Sequence, residues 1–340
     1  MIRHTALLGL AMTLCAAGFA ADLGYAPGQP VRLIYDTDIG NDVDDALALG
    51  VIHALQSRGE CELLAVTITK DHPLSAPYVD AVNTFYGRPD IPIGVVRDGA
   101  TPQPSKFTVL AETKDNGEDR YPHDLRSGDD APEAHILMRQ ILAAQPDHSV
   151  AIAQVGFSSN VARLLDSAPD AHSDLNGVDL VAKKVSLVSV MAGAFAPIDG
   201  KEHIEYNVVK DIPAAQTLAE KCPAPIVYSG YEIGISIRYP AASIEQDYNY
   251  VAHHPLAEAY QLYMPTPHER PTWDLTSVLF AVRPNRGYFG LSAAGTATVT
   301  EEGKTVFEAG DGSHYYLTVD AIQIARVRET LALLSSEPPH

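Results

Sequence analysis

Residues 31–49, VRLIYDTDIGNDVDDALAL, constrain this chain more than any other stretch. The apolar, β-branched run from Val31 to Tyr35 predicts a buried parallel strand. It runs into Asp36, Asp38, Asp42, Asp44 and Asp45, five carboxylates in ten positions, and an alanine/leucine helix pattern starts at Ala46. Open α/β sheets place their ligands where strands end and helices begin. So many acids at one strand tip repel each other unless something positive sits among them. A hard divalent cation answers this economically, because calcium collects several carboxylate and carbonyl oxygens. One or two of these acids could be solvated, with Asp44 or Asp45 capping the helix. Five of them, with Gly40 letting the turn close tightly, point to a site.

The chain is long enough, at 340 residues, to bury a large core. Residues 1–21 read as a secretory signal peptide: Arg3 and His4, an apolar stretch from Thr5 to Cys15, then small residues before a cut after Ala20 or Ala21. That run is too short to span a membrane, so no membrane anchor is expected, and the predicted location is periplasmic or secreted. Residues 22–340 would form a single domain. The net charge of −19, from 43 acids and 24 bases, argues against nucleic acid as a partner and suits a cation site. Processing leaves Cys61 and Cys222, which export would allow to pair, and no Cys/His cluster has zinc spacing.

Strand and helix patterns then alternate. Strands are predicted over 63–69, 91–96, 150–155, 185–191, 226–228 and 315–319. Helices are predicted over 76–86, 131–144, 212–221 and 254–263, with a last one ending near Leu334. A hairpin is expected over 296–307. Residues 97–132, rich in Pro, Gly and charge, read as a long loop over the ligand edge. The fold class is α/β, a doubly wound, mostly parallel open sheet with its ligand site at the C-terminal strand ends.

Four polar groupings lie at probable strand ends: DTDIGNDVDDA, Gly156-Phe157-Ser158-Ser159-Asn160, Met191-Ala192-Gly193-Ala194-Phe195 followed by Glu205-Tyr206-Asn207, and Asp274 in PTWDLTSVL. Taken singly, a polar turn is most often a helix cap, and Glu205 with Asn207 reads as a polar strand edge. Together, in this order, they resemble the landmarks of the nucleoside hydrolase family over residues 31–335. The resemblance implies that Asp38, Asp45 and Asp274 hold calcium with the main-chain carbonyl of Ser159. Asp38 would also be the catalytic base, taking a proton from the attacking water. Asp44, Glu205 and Asn207 would grip the ribose hydroxyls of a small-molecule nucleoside. A homo-oligomer is compatible with the sequence.

Some positions depart from the family pattern. Asp42-Val43 is the natural insertion in the first loop. Lys70-Asp71 replaces Gly-Asn after the second strand, and Asp199 replaces an Asn, so Asp71 and Asp199 are the residues left for those ribose contacts. Trp273 stands where pyrimidine-accepting members carry a leaving-group His, which predicts a purine preference, with His268 as another candidate acid. Two other readings remain open. One is a hydrolase or binding protein for a different riboside on the same fold. The other is a haloacid-dehalogenase-type phosphatase, whose opening also has Asp-x-Asp after an apolar strand, with Asp36 as nucleophile.

Overall fold

The computed structural model describes residues 28–340, so the signal-peptide reading of residues 1–21 lies outside the described residues. The strands, in chain order, are β1 (Val31–Thr37), β2 (Cys61–Ile68), β3 (Ile93–Val95), β4 (Lys114–Asp115), β5 (Glu118–Asp119), β6 (Val150–Gln154), β7 (Val185–Met191), β8 (Ile226–Ser229), β9 (Gly290–Leu291), β10 (Gly295–Val299), β11 (Thr305–Ala309) and β12 (His314–Thr318). The main sheet runs β11-β10-β12-β8-β7-β6-β1-β2-β3, with β9 pairing β12. From β12 through β8, β7, β6, β1 and β2 to β3, every neighbour is parallel. The hairpin β10–β11 is the antiparallel edge that the sequence predicts around Gly303.

Alternation along β1 sets the two faces. Leu33 and Tyr35 pack with helix Asp44–Ser57, helix Trp273–Val282 and helix Ala321–Ser335 on one side. Ile34 packs on the other side with Met138, Val161 and Leu218, from the helices Ala134–Ala144, Ser159–Leu165 and Ile212–Lys221. Each of these three β1 side chains is wholly buried, which accounts for the unbroken apolar run that marks the strand in the sequence. Cys61 and Cys222 belong to opposite faces and are free thiols. Among the described residues no helix is long and apolar enough to cross a membrane.

Leaving aside the two-residue pair β4–β5, the chain lays down three strands outward from β1 and then returns to add β6, β7 and β8 on its other side. The order reverses between β1 and β6, and the carboxyl ends of the strands flanking such a reversal open a crevice. The acidic loop leaves β1 at this crevice, so topology alone puts it at the ligand edge. The 97–132 segment holds two short 3₁₀ turns and the β4–β5 pair rather than being structureless.

Gly156 follows β6 and passes tightly behind the acidic loop. A Cβ there would strike the Thr69 hydroxyl and lie 2.6 Å from the Asp38 amide nitrogen. Gly156→Ala is therefore expected to cost about 1–3 kcal/mol through overpacking. Gly310→Ala, where a Cβ meets nothing within 4 Å, should be nearly neutral. Chemical denaturation of the two variants makes the comparison, and equal midpoints would refute the close approach.

Candidate active site

Side-chain parity distributes the acids of the first loop. Asp36, on the same face as Ile34, is fully buried and accepts hydrogen bonds from Thr67 Oγ1 at 2.7 Å and Asn160 Nδ2 at 2.8 Å. It braces β1 against β2 and the GFSSN turn. Burial raises its pKa to about 7 against these two bonds. Asp36 does not line the cavity at the crevice, so it is not placed to act as a phosphatase nucleophile.

Thr37, on the opposite face, donates a short hydrogen bond to Asp45. Asp44 and Asp45 open helix Asp44–Ser57, and both are buried. Asp274 is the second residue of helix Trp273–Val282, which packs against the first helix. Its amide donates to Asp44 Oδ2 at 3.2 Å. Oxygens of Asp44, Asp45 and Asp274 all lie within 4.8 Å of one another. Burial, and then the neighbouring acids, push all three pKa values well above the usual carboxylate range.

Asp45 Oδ2 and Asp274 Oδ2 are buried without a hydrogen-bond partner. Two orphaned carboxylate oxygens in an all-oxygen cluster fit a hard divalent cation. Asp38 stands beside this trio rather than within it. Its Oδ2 accepts from Asn41 Nδ2 at 2.8 Å, and burial raises its pKa to about 6.

Asp42, the inserted acid, belongs to a different arrangement. It forms a two-pronged ion pair with Arg270, whose Nε donates at 2.9 Å. The Arg270 guanidinium lies 5.1 Å from the ring centres of both Tyr263 and Trp273. Trp273 Nε1 donates to the Tyr231 carbonyl at 3.0 Å, and the two rings are 5.3 Å apart. These groups, with Tyr206, form an aromatic wall of the pocket that the acids also line. Between wall and acids is a cavity of about 340 Å³, within the range of roughly 300–1,000 Å³ typical of small-molecule sites.

Glu205 and Asn207 line the same cavity. They are not the polar strand edge that the pair suggests when taken singly. Glu205 caps the short helix Tyr206–Lys210, its carboxylate accepting from the amides of Asn207 (2.9 Å), Val208 (3.1 Å) and Gly193 (3.2 Å). Burial raises its pKa to about 7 despite those bonds. Asn207 Nδ2 donates to the Val155 carbonyl at 2.7 Å and the Met191 carbonyl at 3.1 Å, tying the ends of β6 and β7 together.

Four expected residues lie elsewhere. Asp71 points away from the crevice, because its carboxylate accepts the Gly99 amide at 3.0 Å and anchors the 97–132 segment. Asp199 is exposed on a turn with φ +50°. Neither lines the cavity, so neither is a ribose contact in this structure. Ser159, whose main-chain carbonyl is the expected ligand atom, is likewise absent from the lining, and its hydroxyl donates to Asp211. His268 lies outside the lining too, while Arg270 two residues on is part of it. Asn41, Arg270, Tyr206, Tyr231 and Tyr263 also line the cavity without being expected there from sequence; Asn41 and Tyr206 sat inside motifs that could have flagged them.

A family model described as inosine-uridine preferring nucleoside hydrolase matches residues 33–328. The chain belongs to this family. It is 28% identical to the pyrimidine-specific ribonucleoside hydrolase RihA of Salmonella enteritidis over 222 residues, 63% of this chain and 64% of RihA. The match therefore spans less than two thirds of that relative. Among solved folds, the inosine-uridine preferring nucleoside hydrolase of Bacillus anthracis superposes with a TM-score of 0.66 at 15% identity, covering 89% of this chain and 99% of that one. A purine-preferring ribonucleoside hydrolase from Gardnerella vaginalis gives 0.66 at 18% identity, covering 90% and 99%. The nucleoside hydrolase fold thus extends over nearly all the described residues of this divergent member.

Stripped of cations, the cluster should be a pH-dependent weakness. Asp36, Asp38 and Glu205 titrate near 6–7 in the folded chain, above the roughly 4 of unfolded carboxylates. Between those values the native state holds protons that the unfolded chain has released, so stability falls as pH rises. The melting temperature of chelated protein is expected to drop from pH 5 to pH 8. Added calcium should restore more at pH 8 than at pH 5. Scanning calorimetry at both pH values tests this, and a calcium-insensitive melt would exclude the cation.

Proposed function

We propose that the protein is a calcium-dependent, exported N-glycosyl hydrolase that cleaves ribonucleosides to base and ribose, with a preference for purines. The observation that carries the proposal is the convergence of the Asp44/Asp45/Asp274 oxygens, Glu205, Asn207 and the Trp273 wall on one cavity. Family membership supports the reaction class, and the signal-peptide layout of residues 1–21 supports export.

Asp45 and Asp274, with Asp38 and Asp44 beside them, would hold the cation. When bound, it supplies a positive charge that orients hydroxyl oxygens and makes a neighbouring water easier to deprotonate. Asp38, held by Asn41, takes the proton from the attacking water. The C1′–N bond breaks with its electron pair leaving on the base, which takes up a proton from solvent; oxocarbenium character develops on the sugar as the water oxygen bonds to C1′. The carboxylates of the cavity stabilise that charge. Asp44, Glu205 and Asn207 face the ribose hydroxyls. The base lies against the aromatic wall, where stacking contributes roughly 1–3 kcal/mol per base, and a purine presents the larger face.

RihA is named as pyrimidine-specific, which makes a pyrimidine riboside the second reading. Release of base from inosine and uridine, beside release of phosphate from inosine monophosphate, separates the readings. We expect free hypoxanthine as the main product. Asp38→Asn should lower turnover by about 10²–10⁴-fold, the scale of general-base catalysis, and Asp42→Asn by far less. Trp273→Ala should slow inosine cleavage more than uridine cleavage. Phosphate release alone would overturn the proposal, and a uridine preference that survives Trp273→Ala would overturn the purine assignment.

A further inference from the structure

Lys70 is the least expected side chain beside the acids. Lysines are almost never fully buried, yet Lys70 is only 2% exposed. Its ammonium donates to two neutral oxygens, Asn41 Oδ1 at 2.7 Å and the Thr101 carbonyl at 3.3 Å. Room for its stem comes from Gly40, where φ is +112° and a Cβ would lie 2.8 Å from Lys70 Cδ.

The donor count makes this contact directional. An ammonium has three donors and no acceptor, so the Asn41 oxygen must face Lys70. The Asn41 amide nitrogen is then forced the other way, where it donates to Asp38 Oδ2 at 2.8 Å and Thr101 Oγ1 at 3.0 Å. Without Lys70 the amide could turn over and set its oxygen against the Asp38 carboxylate.

We infer that Lys70 is a positioning residue: acting through Asn41, it fixes the Asp38 carboxylate in the orientation that the site requires. The inference rests on the role proposed above for Asp38. Thr101 joins the same set, so the 97–132 segment is fastened to the acidic loop by the contacts that orient the base.

A simple counter-charge role is separable, because Asn41→Ala breaks the relay while leaving the lysine charge and stem in place. The experiment compares wild type, Asn41→Ala, Lys70→Met and the double variant, in ribonucleoside turnover and in calcium titration by calorimetry. Each single variant is expected to lower kcat by about tenfold or more with little change in KM, the scale of losing one hydrogen bond to a charged group. The double variant should be no slower than the slower single. Asn41→Ala should also bind calcium several-fold more weakly.

A counter-charge alone would leave Asn41→Ala silent and make Lys70→Met bind calcium more tightly. Either a silent Asn41→Ala or additive losses would overturn the relay. If the wild-type protein cleaves no ribonucleoside but Asn41→Ala weakens calcium binding, the relay stands and the proposed reaction falls. Should Asn41→Ala fail to fold, Asn41→Leu, with the same branching and heavy-atom count but no donor, decides by the same calcium measurement.

Discussion

Mutual repulsion among buried carboxylates is the constraint on which this site is built. Asp38, Asp44, Asp45 and Asp274 are drawn together where water cannot screen them, and each raises the cost of charging its neighbours. The fold deals with this in graded ways. Asp36 is set beneath the site, where burial raises its pKa to about 7 against two donated hydrogen bonds, and Asp42 is paired with Arg270 at the rim. Of the inner three, Asp45 and Asp274 each keep an orphaned oxygen, while Asp44 accepts only the Asp274 amide. A structural core would have paired them. Leaving them unpaired makes sense where a cation is taken up from outside.

The sheet supplies the stiffness that such a cluster needs. Val155 reaches the cavity from the β6 end while Asn160 braces Asp36 beneath it, Asn207 locks the β6 and β7 ends to each other, and Asp274 arrives on a helix packed across β7. The acids are therefore presented by packed elements rather than by free loops. Little reorganisation is required when charge develops in the cavity.

The first strand, the acidic loop and the late helix were legible in the sequence because their signals are local: a continuous apolar run, a cluster of acids, an Asp opening a helix. The parallel sheet followed from alternation. Glu205 was harder to read, since a glutamate that caps a five-residue helix looks the same as a polar strand edge. Asp71 and Asp199 occupy family positions, but side-chain direction decides contact, and theirs point to a loop amide and to solvent. The Asp42–Arg270 pair spans 228 positions, and nothing local in either residue announces the other. Tyr231 and Tyr263 were invisible for the same reason: in a chain with 16 tyrosines, only tertiary placement separates a cavity wall from core filling.

That separation along the chain has a consequence for how the protein is made. Asp44 and Asp45 emerge from synthesis long before Asp274, and the hydrogen bond from the Asp274 amide to Asp44 spans 230 positions. A chain still growing carries the first loop as an open, self-repelling set of acids and cannot close the ring of oxygens around an ion. Full chelation thus arrives only with the late helix, after the strands between have been laid down. Cation binding would in this sense be a checkpoint on completeness: a finished molecule can assemble the ring of oxygens, and one truncated or unravelled at its far end cannot.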